Sequence, residues 1–222
     1  MSTQTPSRFE ALSQMEPGTS LAFTDVSWDE CQDVLEQAGE ASHLRISFDS
    51  GALQVMTLSD EHESYASFLR GMITAIQLRL RTEIRSFGSM TLRNDKVRKG
   101  CEPDACFYIQ NAHLIRNRLK LDLRTDPPPD IAVEVEIHHD STNNMGIYAA
   151  LGVLEIWRYN GRRLTMHLLE QGSYQESEKS LAPPFLTRDV ISNTMARLST
   201  AGETAALVAF DEWLQKSQPG NL

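Results

Sequence analysis

The chain has 222 residues, 41% of them apolar and 23% charged, an ordinary globular composition that excludes a disordered, collagenous or fibrous protein. A formal net charge of −9 excludes wholesale attraction to nucleic acid or anionic lipid, while leaving room for a local basic groove. The length suits one compact domain, or alternatively two small ones, with a core that needs no disulfide staples.

The charge is unevenly placed. Residues 1–63 hold 12 acids against only Arg8 and Arg45, whereas residues 64–222 hold 18 acids and 19 bases, so the whole deficit sits in the N-terminal quarter. Residues 70–99 carry eight bases, from Arg70 to Lys99, against Glu83 and Asp95. Such a run reads as a solvated face, or alternatively as a phosphate-facing wall beside an acidic site.

In chain order, residues 1–20 are polar and read as a loose lead-in marked by Pro6, Pro17 and Gly18. Ser27 and Glu30 have capping-box spacing and open a short helix that fades near Gly39. Leu44–Phe48 and Leu53–Leu58 alternate apolar and polar residues around Asp49-Ser50-Gly51, which predicts a β-hairpin. Ser59 or Asp60 caps a longer helix with Tyr65, Leu69, Met72, Ile73, Ile76 and Leu80 as its buried stripe, and with His62 and Glu63 in its first turn.

Residues 86–89 break that pattern, and residues 103–109 read as a strand beginning at Pro103. A stiff Pro127–Pro129 connector leads into a strand at residues 130–138. A helix follows over Asn143–Leu151. Strands at Glu155–Tyr159 and Arg163–Leu169 are joined by Asn160-Gly161, a strong hairpin signal. The stretch from Thr187 to about residue 216 is helical, broken at Ala201-Gly202.

Cys31, Cys101 and Cys106 are odd in number and fit no disulfide framework, which points to a reducing, cytoplasmic setting. Cys101, Cys106 and His113 do not match a closed zinc pattern. The N-terminus has no signal-peptide pattern, and no apolar run reaches membrane-spanning length, so no membrane partner is expected.

The strand at 130–138 carries the chemistry. Side chains alternate across a strand, so Ile131, Val133, Val135 and Ile137 share one face, and Asp130, Ala132, Glu134, Glu136 and His138 share the other. Aligned like charges repel, so such a face either binds a cation, takes up protons or lies in open solvent. Carboxylate oxygens suit magnesium, manganese or calcium; His138 and His139 leave zinc as a minor option. Asp104, at the start of its own strand, and Glu63 are the other candidate acids.

These residues resemble the PD-(D/E)XK nuclease superfamily, and more closely a bacterial branch of restriction-endonuclease-like domains. The matching stretches are residues 61–63, 85–89, 100–111, 128–136 and 147–159, in order, within a resemblance that covers roughly residues 40–215. It implies an α/β (α+β) restriction-endonuclease-like fold: a mixed central sheet flanked by helices, with an N-terminal hairpin and C-terminal helices. Residues 1–40 would be a lead-in with one short helix, 41–216 a single nuclease-like domain, and 217–222 a tail.

It also implies roles. Asp104 and Glu134, helped by the Val135 carbonyl, would hold Mg or Mn, and Glu63 would be the helix-borne acid. Glu136 stands where the superfamily motif has lysine, and Asn144 stands where this branch places a lysine on the next helix. Asparagine carries no charge to orient and acidify the attacking water, and Arg158 or Lys99 are the bases available to replace it. The implied activity is divalent-metal-dependent endonucleolytic cleavage of DNA, with RNA as an alternative substrate and a homodimer as an expected assembly. The runner-up is a catalytically weakened nuclease fold that binds nucleic acid or a protein partner. A metal-binding structural protein is the third reading.

Overall fold

The computed structural model of the chain describes residues 12, 15–39, 44–137 and 144–217. These form eleven strands in two sheets and five α-helices. The helices are α1 (Trp28–Ala38), α2 (Asp60–Leu80), α3 (Met145–Leu151), α4 (Arg188–Ala201) and α5 (Glu203–Ser217).

The larger sheet has six strands in the order β11 (Ser173–Ser177), β10 (Leu164–Glu170), β9 (Glu155–Tyr159), β8 (Ile131–Val135), β7 (Ala105–Tyr108) and β4 (Arg85–Phe87). It is mixed: β8 and β9 run parallel and every other pair is antiparallel. The parallel pair needs a crossover, and α3 lies on it. The smaller sheet is wholly antiparallel, in the order β1 (Ser20–Phe23), β3 (Ala52–Thr57), β2 (Leu44–Asp49), β6 (Lys99–Cys101) and β5 (Leu92–Asn94).

The alternation expected in β8 is present. Ile131, Val133 and Val135 pack with α2, α4 and α5 in the main core, together with Phe107, Trp157 and Tyr159. Ala132, on the opposite face, packs with Ile147, Tyr148 and Leu151 of α3 and with Leu92 and Cys101 of the smaller sheet. The larger sheet is therefore covered by three helices on one side and by α3 and the second sheet on the other. A central strand buried on both faces is the setting in which an ionisable side chain is most costly, and Glu134 sits there.

Local sequence signals account for the helix ends. Ser27 and Glu30 form both halves of a capping box on α1. The Ser59 side chain accepts from the His62 N–H at the start of α2. Gly202, at φ +83°, separates α4 from α5.

The second sheet goes beyond the hairpin expected at 44–58. β5 and β6 have three residues each, β5 within the basic stretch 70–99 and β6 starting at its last residue, and β4 begins at the residue before the expected break. Three residues are too few to display a period, so only pairing partners reveal such strands. β11 was missed for a different reason: its sequence, SYQES, is polar and exposed at the sheet edge.

Asp130 belongs to this framework and not to a shared acidic face. Its carboxylate accepts from the Ile109 and Asn111 backbone N–H groups and from the Asn111 side-chain amide, at 2.6, 3.1 and 2.8 Å. It thereby ties the loop after β7 to the start of β8. Asp130→Ala leaves buried donors unpaired and should lower unfolding free energy by about 2–4 kcal/mol, measured by urea denaturation.

Candidate functional site

The site lies where β7 and β8 meet the second sheet. Asp104, just before β7, is clipped to β8 twice. Its backbone N–H donates to the Val133 carbonyl at 2.9 Å, and its Oδ2 accepts from the Val135 N–H at 2.7 Å. The two bonds flank Glu134 and hold Asp104 beside it, one through the main chain and one through the Asp104 carboxylate itself.

Two further side chains, Arg45 and His62, converge on Asp104. Arg45, from β2, donates through Nε to Asp104 Oδ1 at 3.1 Å and through Nη2 to Glu63 Oε1 at 3.3 Å. Its Nη1 donates to the Leu44 carbonyl. His62, one residue before Glu63 on α2, places Nε2 2.9 Å from Asp104 Oδ2. The Asp104 side chain is 1% exposed and that of Arg45 7%, whereas the Glu63 side chain is 45% exposed. Asp104 and Arg45 thus form a buried ion pair whose second acid opens to solvent.

Glu134 projects into a small cavity of about 30 Å³, lined among others by Arg45, Glu102, Val135, Glu136 and Asn144. Tyr148 and Asn144 donate to Glu134 Oε1 at 2.5 and 3.2 Å. Both donors are neutral. Burial, then the charge of Asp104, pushes the Glu134 carboxyl up to about 8, with Glu136 adding to the effect and the two donors opposing it. Glu136 accepts from Arg158 Nε at 2.7 Å. Asp104 is not among the residues lining the cavity; Arg45, bonded to it, is.

Other expected participants lie elsewhere. Lys99 pairs with Asp49 at 2.6 Å. The basic stretch 70–99 spreads over α2 and strands of both sheets: Arg70 donates to the Asp104 carbonyl, Arg79 pairs with Asp211, and Arg85 donates to the Arg118 carbonyl. Internal partners therefore take up much of the charge offered as a phosphate-facing wall. Cys101 and Cys106 are buried free thiols, and His113 lies on an exposed 3-10 turn. His138 and His139 fall outside the described residues.

Two participants were not singled out by sequence reasoning. Arg45 carried one signal: it occupies a polar position in an alternating strand, opposite Leu44, Ile46 and Phe48 of the small-sheet core. Alternation does not reveal whether the polar face meets water or another sheet. Tyr148 lay within the expected helix at 143–151 with no signal setting it apart, and it is also part of the core.

The Uma2 family model, "Putative restriction endonuclease", matches residues 28–198. The chain belongs to this family. No curated protein matches it. The Uma2 match runs from the start of α1 into α4 and contains every residue of the cluster. It agrees with the mixed sheet and with a restriction-endonuclease-like domain of the PD-(D/E)XK superfamily.

Restriction-endonuclease-like domains generally use divalent cations. The donor chemistry here fits one: the acids offer hard oxygens, and Glu134 is a buried carboxyl destabilised in its charged form by a neighbouring acid, which a cation would relieve. Among the described residues, however, no three ligating side chains are already gathered for an ion. Asp104 is instead engaged by Arg45.

The raised Glu134 carboxyl links stability to pH. Above its ordinary value of 4.5 the unfolded chain releases a proton that the folded chain keeps until about 8. Metal-free stability should therefore fall as pH rises across that window. Glu102 and Glu155, also raised by burial, slope the same way. Glu134→Gln should flatten the fall without removing it, measured by urea unfolding at several pH values.

Proposed function

We propose that this Uma2 domain is a Mg- or Mn-dependent endonuclease that hydrolyses DNA phosphodiester bonds. The observation that carries the reading is the double clip of Asp104 to β8 on either side of Glu134, which holds two buried carboxylates side by side. Glu134 and Asp104 would hold the ion with the Val135 carbonyl, and Glu63 would be the helix-borne acid. When bound, the cation supplies charge neutralisation at the phosphoryl oxygen and a more acidic water.

The chain's own residues orient the acids. Tyr148 and Asn144 hold one oxygen of Glu134. Arg158 holds Glu136 at the rim of the same cavity. Phosphodiester hydrolysis depends more on preorganised charge than on a side-chain nucleophile, so such orientation is the protein's main contribution. The three buried free thiols support a reducing, cytoplasmic setting. Cleavage of both strands would call for a homodimer.

A specific observation favours a second reading. Asn144, which the resemblance sets at the branch's lysine position, donates to Glu134 and brings no positive charge. On that reading the domain is a weakened nuclease that binds nucleic acid or a protein partner.

Supercoiled plasmid separates the two. With millimolar Mn2+, the wild-type protein should convert it to nicked circles, and Glu134→Ala should lose at least about 100-fold in rate, as removal of a charge-stabilising group does. Asn144→Lys should raise the rate. A wild-type protein that shifts DNA in a gel without nicking it, and gains cleavage only as Asn144→Lys, identifies the second reading. Nicking that persists in Glu134→Ala overturns the first.

A further inference from the structure

Arg45 lines the cavity with Glu134, Glu136 and Asn144 and is bonded to Asp104. The guanidinium bridges Asp104 and Glu63. It reaches them from the second sheet and is anchored there by its own bond to the Leu44 carbonyl.

A buried carboxylate needs a counter-charge, and a guanidinium supplies one with directed donors. Asp104 Oδ2 is already occupied by the Val135 N–H at 2.7 Å and has His62 Nε2 at 2.9 Å. Oδ1, the oxygen that Arg45 holds, is therefore the one a cation would seek. Two cations, guanidinium and metal, compete for the same atom, and each repels the other across it.

Resting on the metal-dependent reading above, we propose that Arg45 is the resident counter-ion of Asp104 and Glu63 and that a divalent cation must displace it from Asp104 Oδ1 to be coordinated there. Arg45 keeps the metal-free site folded and sets a threshold concentration for the ion. The site is therefore a switched one, assembled without metal and armed when metal outcompetes the arginine.

The test compares wild type, Arg45→Met and Arg45→Lys by thermal melting and by titration of Mn2+ with the free-ion EPR signal as readout. Without metal, Arg45→Met removes the guanidinium counter-charge from buried Asp104 and should melt roughly 5–15 °C lower. Its Mn2+ affinity should rise on the order of tenfold over wild type, and saturating Mn2+ should recover most of the lost melting temperature. Arg45→Lys keeps a charge but loses the fork, so it should bind Mn2+ more tightly than wild type by a smaller factor. It is the variant to read if Arg45→Met does not fold.

Wild-type binding with no gain in either variant overturns the competition while leaving the metal site standing. No Mn2+ binding in any of the proteins overturns the competition and the metal-dependent reading together.

Discussion

The site depends on a carboxylate that cannot move. Asp104 is buried, joined to β8 by a backbone bond on one side of Glu134 and a side-chain bond on the other, and neutralised by Arg45 from the second sheet. Desolvating two charges is costly, and it is tolerated where geometry is good and the remaining donors and acceptors are satisfied. Here the Val135 N–H and the Leu44 carbonyl provide those partners. The same pair joins the two sheets, so the chemistry and the docking of the sheets are one constraint.

Other buried acids show by contrast why Glu134 stands apart. Asp130 is met by two backbone N–H groups and an amide. Glu155 accepts from Trp157, Ser180 and the Leu181 and Ala182 backbone N–H groups, and so pins the loop after β11 to β9. Both are fully absorbed in holding the chain. Glu134 has neutral donors at one oxygen, two neighbouring acids and an adjacent cavity. Unbalanced charge beside open space distinguishes an acid available for chemistry from one that caps a loop.

Membership in the Uma2 family accounts for the domain type. Asn144 brings an uncharged donor to Glu134, and among the described residues Arg45, which lines the cavity, and Arg158, which holds Glu136, are each bound to acids. The positive charge of the site is thus committed to carboxylates in the metal-free state. No helix among the described residues is long and apolar enough to cross a membrane.

By itself the sequence determined the local elements and the faces of the central strand. The period of two in residues 131–137, the Asn160-Gly161 turn, the capping box at Ser27 and the break at Gly202 are short-range signals, because each depends on residues a few positions apart. The resemblance of several spaced stretches extended this to the mixed sheet. Only the tertiary structure decided that Asp130 turns to its own loop, that Lys99 pairs with Asp49, and that Arg45 crosses from the other sheet to Asp104. Those outcomes depend on which polar face meets water and which meets another sheet. A one-dimensional pattern presents both as the same alternation, and burial assigns each charge its partner.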